Sequence, residues 1–125
     1  MSQELDAGRA QGVALPDLST LPWLQVRRVA NQQALSLVLN LDMGEREVLA
    51  LALEMPQPLV ILDDALARRF ARRLNLTMTG TLGILLRAKR EGYIPLVRPI
   101  LDRLKTLNFR VDQATRAEIL ALAAE

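Results

Sequence analysis

The chain of 125 residues is long enough for one domain, and half of its residues are apolar, so it can bury an aliphatic core. It contains no cysteine and no histidine, which excludes disulfides, thiolate and imidazole metal sites, and catalysis by Ser–His or Cys–His pairs. The net charge is +2, but it is unevenly distributed. Residues 1–64 carry four basic and nine acidic side chains, and residues 65–110 carry eleven basic and two acidic ones. Residues 111–125 carry one basic and three acidic side chains. An enzyme of this composition would rely on carboxylates and a hard cation such as Mg²⁺ or Mn²⁺. The basic stretch either binds phosphate groups or forms solvated helix faces.

No stretch of the sequence is apolar over the length that is needed to cross a bilayer. The first residues, Met1-Ser2-Gln3-Glu4, are polar and unlike a signal peptide. We therefore expect a cytoplasmic protein that forms a single domain over residues 1–125.

The first half of the chain combines weak patterns with one clear helix. Four short elements are predicted before residue 40: a helix over residues 1–9, a loop between Pro16 and Pro22, an edge strand over Trp23–Val29 and a helix over residues 32–39. A clearer helix begins at Asp42 and ends near Met55, just before two prolines.

The second half alternates strands and helices. Leu59–Leu62 is a continuous apolar run, which predicts a parallel strand covered on both faces. The elements predicted after it are a helix over Ala65–Leu74, a strand over Leu76–Thr79, and helices over Thr81–Glu91, Leu96–Leu107 and Asp112–Ala124. This order predicts an α/β fold with a short parallel sheet flanked by helices.

Asp63 and Asp64 follow the strand directly and are the strongest candidates for chemistry. In open α/β sheets, ligands bind beyond the carboxyl ends of the strands, and hard cations need several carboxylate oxygens there. Aspartate is also a good N-cap for the helix at Ala65, and its charge is favoured at that helix end. Capping accounts for only one of the two carboxylates, so the spacing supports a metal site and a helix cap about equally.

Two further motifs have a functional and a structural interpretation. Glu45 is a candidate acidic ligand, but Asp42-x-x-Glu45 also has the spacing of a capping box. The turn Thr79-Gly80-Thr81 precedes a helix and offers N–H groups and hydroxyls to an anion, although a helix cap is the more common role of such a turn.

Three segments match one known family in their order and spacing. They are Leu41-Asp42-x-Gly44-Glu45 with Leu51-Ala52, Val60-Ile61-Leu62-Asp63-Asp64 with Ala67-Arg68 and Ala71, and Thr79-Gly80-Thr81-Leu82-Gly83 with Ala88-Lys89 and Gly92. Through them the chain resembles the PIN-domain family, in particular a bacterial branch related to VapC toxins. Gln3-Glu4-Leu5 resembles the end of an earlier helix of that family.

The resemblance implies a three-layer α/β domain that hydrolyses RNA with four acidic positions around Mg²⁺ or Mn²⁺. By matching motifs, Glu4 falls on the second acidic position, Glu45 on the third and Asp63 on the fourth. Asp64 is then an additional metal ligand or the helix cap.

The partners follow from charge and from the resemblance. Charge alone marks Arg68, Arg72 and Lys89 as candidates for holding the RNA backbone. Toxins of the VapC type are held by small antitoxin proteins, so an antitoxin is a second expected partner.

The first acidic position of the family has no counterpart in this sequence, so we expect a PIN-like domain that is truncated at its N-terminus. Without the early strands, the strand Leu59–Leu62 has an unpaired edge, so we expect the chain either to pair with another copy, as a homodimer or a higher oligomer, or to repack its sheet. The missing carboxylate leaves two functions open. One is a metal-dependent ribonuclease, and the other is a catalytically inactive module that binds nucleic acid or protein.

Overall fold

The computed structural model describes residues 2–33, 36 and 40–125. The helices among these residues are α1 (Ser2–Ala10), α2 (Met43–Glu54), α3 (Ala65–Arg73), α4 (Thr81–Arg90), α5 (Arg98–Thr106) and α6 (Gln113–Leu122), and the strands are β1 (Leu59–Ile61) and β2 (Thr77–Thr79). The backbone forms two compact units, residues 1–58 and residues 59–125. None of the described helices is long and apolar enough to span a membrane.

The first unit contains α1, a 3-10 turn at Leu18–Thr20, and α2. Asp42 is the N-cap of α2 as predicted, because its extended backbone and the Glu45 side chain complete a capping box. One face of α2 is buried through Leu49, Ala50 and Ala52. The helix therefore begins and ends where the sequence predicts.

The predicted edge strand over Trp23–Val29 is wrong. Residues 24–29 have no strand pairing, and Trp23 and Val26 are 75% and 65% exposed. A strand exists only where a neighbouring strand completes its hydrogen bonds, so β propensity without a partner does not form one. The segment ends on α2 instead, where the Glu54 carboxylate accepts the N–H of Asn31 at 2.8 Å. The helix predicted over residues 32–39 lies mostly outside the described residues.

The second unit contains a two-stranded parallel sheet, which confirms the predicted α/β class. Val60 of β1 pairs with Met78 of β2, and the Leu62 N–H extends the ladder by donating to the Thr79 carbonyl oxygen at 2.9 Å. Burial on both faces is not observed, because Val60 is buried whereas Leu59 and Ile61 are 45% and 53% exposed. Successive side chains point to opposite faces, so only one face of β1 is covered.

The helical end of the second unit has its own core. The buried side chains are Val97, Leu101, Ile119, Leu120 and Ala123, and Leu82, Leu85, Leu86 and Ile94 pack against them. The predicted end of α4 and the predicted beginning of α6 also hold, since Gly92 adopts the left-handed φ of +80° that ends a helix and Asp112 is the N-cap of α6.

Glu125 fixes the beginning of α5 from the far end of this unit. Its side chain is only 6% exposed and accepts hydrogen bonds from the Val97 N–H at 2.7 Å and from Lys89 Nζ at 3.0 Å. Burial raises the pKa of Glu125, but hydrogen bonds from Val97, Lys89 and the Arg98 N–H outweigh it, so the net pKa lies below the usual glutamate value.

We expect Glu125→Gln to lower the melting temperature at neutral pH. Because the pKa is lower in the folded state, the charge stabilises the fold above the unfolded pKa of about 4.3, and this contribution disappears as pH falls through the folded pKa. Thermal unfolding at about pH 7 and about pH 3 measures this effect. The gap to wild type should narrow at the lower pH, and an equal gap at both would contradict the prediction. The exposed Glu118 of α6 supplies the control Glu118→Gln.

Candidate functional site

The carboxyl end of β1 lies beside the beginnings of two helices in the second unit. β1 ends at Ile61, α3 begins at Ala65, and the parallel neighbour β2 leads through Gly80 into α4. Asp63 and Asp64 lie in the link between β1 and α3, and both are exposed. The two aspartates are adjacent in the chain, but they contact different helices.

Asp63 binds the first residue of α4 with both of its carboxylate oxygens. Its Oδ1 accepts the backbone N–H of Thr81 at 2.9 Å, and its Oδ2 accepts the Thr81 hydroxyl at 2.5 Å. The N-cap position of α4 is Gly80, which has no side chain to satisfy the helix, so Asp63 supplies the acceptor from 18 residues away. An ionised carboxylate has about four acceptor sites, and Thr81 occupies two of them.

Asp64 is the N-cap of α3. Its Oδ1 accepts the Ala67 N–H at 2.7 Å, and its backbone is extended as an N-cap requires. The capping interpretation therefore holds for Asp64. Its role as an additional metal ligand stays a prediction.

We expect Asp64→Ala to lower the free energy of unfolding by about 1 kcal/mol, because the Ala67 N–H loses its acceptor. Asp64→Asn keeps an oxygen at the same place, so it should cost only the smaller helix-dipole contribution of about 0.3–1 kcal/mol. Urea unfolding of both variants measures the difference. Equal values for alanine and asparagine would show that the hydrogen bond contributes nothing.

Gly80 and Arg68 close the space beside Asp63. A Cβ on Gly80 would lie 2.7 Å from Asp63 Oδ1, 3.2 Å from Arg68 Nη1 and 3.3 Å from the Leu62 carbonyl oxygen. Arg68 is half-buried, and its Nη1 donates to that Leu62 oxygen at 2.9 Å. Only a glycine leaves room for the Asp63 carboxylate in this position.

The candidates Glu4 and Glu45 belong to the first unit. Glu4 lies in the first turn of α1, and its Oε1 would be 3.5 Å from a Cβ on Gly44, at the beginning of α2. Glu45 accepts the Asp42 N–H at 3.0 Å through Oε2, as a capping box requires. The structure therefore brings Glu4 to the same helix end as Glu45.

Carboxylate oxygens suitable for a divalent cation occur in each of the two units. Within residues 2–33, 36 and 40–125, no group of three or more acidic side chains is arranged to hold a metal ion. Asp63, Glu4 and Glu45 nevertheless offer the hard oxygen atoms that Mg²⁺ and Mn²⁺ prefer. Mg²⁺ in particular is often held by one or two carboxylates together with substrate phosphates and water. The donor chemistry of these residues fits such a cation.

The three basic side chains predicted to bind the RNA backbone differ in whether other residues already contact them. Arg68 is directed to the Leu62 oxygen, and Lys89 forms an ion pair with Glu125 at 3.0 Å. Arg72 is exposed on α3, together with Arg69 and Arg73. These three arginines, at positions i, i+3 and i+4, line one side of the helix.

The sequence did not identify Thr81 as the partner of Asp63. The pattern Thr79-Gly80-Thr81 predicts an anion-binding turn or a helix cap, and the capping side chain is Asp63, which follows β1. One signal was available, because a glycine at an N-cap offers no side-chain acceptor and the helix must find one elsewhere.

A comparison with family models adds an independent finding. Residues 1–125 match the family model described as DUF3368, a PIN domain. No match to the chain was found among curated proteins or among solved structures.

Proposed function

Because the chain belongs to the PIN-domain family, we propose that it is a metal-dependent ribonuclease of the PIN type. The family supports a nuclease-like activity, and the substrate proposed here is an RNA phosphodiester. The observation that carries the proposal is the exposed Asp63 carboxylate at the carboxyl end of β1. Thr81 donates two hydrogen bonds to it, and about two further acceptor sites of the carboxylate remain for a cation.

The proposal assigns a role to each acidic candidate. Asp63 would hold Mg²⁺ or Mn²⁺, and Asp64 would add to the negative charge beside it while it caps α3. Glu4 and Glu45 stay predicted ligands of the same cation. The cation, when bound, supplies a water of lowered pKa and polarises the phosphate. Asp63 itself contributes a fixed negative charge that needs no reorganisation when the cation binds.

Exposed arginines would hold the RNA backbone. Of the three predicted basic residues, Arg72 has an exposed side chain that forms no hydrogen bond or ion pair with another described residue. Arg68 donates to the Leu62 oxygen, and Lys89 pairs with Glu125. Arg69 and Arg73 extend the same face of α3. Such contacts position a nucleic acid without reading its sequence.

Cleavage of single-stranded RNA in the presence of Mn²⁺ tests the function. Wild-type protein should cleave when Mn²⁺ or Mg²⁺ is present and should stop when EDTA is added. RNA that remains intact in both metals, with protein shown to be folded by circular dichroism, would refute the proposal. The variant Asp63→Asn provides the decisive comparison.

A second candidate function is a catalytically inactive module that binds nucleic acid or protein. It is favoured by the lack of a group of three acidic ligands among the described residues. Calorimetry with Mn²⁺ separates the two candidates, since millimolar or no binding, together with intact RNA, supports the inactive module. An antitoxin partner stays a prediction, as does self-association, which the exposed Leu59 and Ile61 favour.

A further inference from the structure

We infer that Thr81 is a positioning residue, which holds the Asp63 carboxylate in the orientation that binds the cation. The inference rests on the proposed function and adds to it a residue outside the acidic set. It starts from two hydrogen bonds that one residue makes to the two oxygens of another.

Two hydrogen bonds from Thr81 fix the orientation of the Asp63 carboxylate, which a single hydrogen bond would leave free to rotate. The last torsion of an aspartate is broad, so a carboxylate held by one oxygen can still turn. Here Oδ1 is held by the Thr81 N–H at 2.9 Å and Oδ2 by the Thr81 hydroxyl at 2.5 Å. The donor is itself rigid, because threonine is restricted at χ1 and its backbone begins α4.

The direction of the hydroxyl bond follows from its acceptor. An ionised carboxylate only accepts hydrogen bonds, so the Thr81 hydroxyl proton must point toward Asp63. The hydroxyl lone pairs then point away from Asp63. The hydroxyl is thus committed as a donor, and its removal leaves the backbone N–H as the remaining contact from Thr81.

The same pair of bonds occurs at a second place in the chain, where it only caps a helix. Asp112 accepts the Thr115 N–H at 2.9 Å and the Thr115 hydroxyl at 2.6 Å, at the beginning of α6. That aspartate and threonine lie three residues apart, as ordinary capping allows. Asp63 and Thr81 instead connect the end of β1 to α4. Thr115 therefore serves as a matched control for the capping contribution.

The test uses Thr81→Val, Thr81→Ser and Thr115→Val in the full chain. Mn²⁺ binding is measured by calorimetry without RNA, and cleavage of single-stranded RNA is measured at saturating Mn²⁺, both at a temperature where every variant is folded. Thr81→Val keeps the shape but removes the hydroxyl, so Mn²⁺ affinity and kcat should each fall about 10- to 100-fold, as is typical when a partner of a metal ligand is lost. Thr81→Ser restores the hydroxyl and should return both values close to wild type. Thr115→Val should leave both unchanged.

The outcomes separate this inference from the proposed function. If wild type binds Mn²⁺ and cleaves RNA while Thr81→Val does so equally well, Thr81 only caps α4 and the inference is overturned. Equal losses in Thr81→Val and Thr115→Val would overturn it too, because they would reflect stability. If wild type neither binds Mn²⁺ nor cleaves, the proposed function fails and the inference falls with it. Should Thr81→Val not fold, Thr81→Ala replaces it in the same comparison.

Discussion

Asp63→Asn is expected to reduce the cleavage of RNA in Mn²⁺ by more than the roughly 100-fold that marks the upper range for partners of metal ligands. The variant removes the negative charge but keeps the shape. Its amide oxygen can still accept the Thr81 N–H, and its amide NH₂ can donate to the Thr81 hydroxyl, which can reverse its direction. The local structure is therefore retained while the charge that attracts the cation is lost.

Asp112→Asn is the matched control for this measurement. Asp112 forms the same two hydrogen bonds with Thr115, and the Thr115 hydroxyl is the main cause of the lowered pKa of Asp112. Each aspartate also lies at a helix N-terminus, so each asparagine variant should lose a similar, small amount of stability from the helix dipole. Only Asp63→Asn should lose activity. Cleavage that survives Asp63→Asn, or that falls equally in both variants, would contradict the assignment.

Helix beginnings were predictable because their signals are local. Asp42, Asp64 and Asp112 each lie next to the helix that they cap, and the structure places all three at N-cap positions. The parallel pairing of β1 with β2 was also predictable, because a strand–helix–strand connection normally returns in the same direction. Such features need only a few neighbouring residues to be specified.

Strand pairing and side-chain partners at long range were not predictable in the same way. Trp23–Val29 has β character but forms no strand, because a strand depends on a partner that is not encoded in its own residues. Lys89 was predicted to contact RNA from its charge alone, yet its partner is Glu125, which lies 36 residues later. Neither outcome can be deduced from spacing.

Asp63 and Asp64 show which features of the candidate site the sequence predicts and which it does not. The sequence identified Asp63 and Asp64 together and could not distinguish a ligand from a cap. The structure separates them, because Asp64 caps the adjacent α3 while Asp63 reaches the distant Thr81. The local role was thus recoverable from sequence, whereas the arrangement that makes Asp63 a candidate ligand depends on the crossover from β1 to α4.

Gly80→Ala is expected to destabilise the second unit by about 1–3 kcal/mol, the usual cost of overpacking. The backbone of Gly80, with φ −125° and ψ 178°, suits any residue, so on conformational grounds alanine should stabilise the fold by about 0.4–1 kcal/mol. The added Cβ, however, would lie 2.7 Å from Asp63 Oδ1 and 3.3 Å from the Leu62 carbonyl oxygen. Real Cβ atoms essentially never lie within 3.0 Å of another atom, so the Asp63 carboxylate has to move and loses its hydrogen bonds to Thr81, which decides the sign.

The clash in Gly80→Ala should also lower the RNA-cleaving activity. The Leu62 oxygen belongs to the backbone of the sheet, so the Asp63 carboxylate is the group that must move, and it then leaves the Thr81 donors. RNA cleavage and Mn²⁺ binding should therefore fall as in Thr81→Val, at temperatures where the variant is still folded. Gly44→Ala serves as the stability control, because its Cβ would meet Glu4 Oε1 at an ordinary 3.5 Å and alanine favours the helix. A Gly80→Ala variant that melts higher than wild type and cleaves normally would show that the Asp63 carboxylate is not confined at the end of β1.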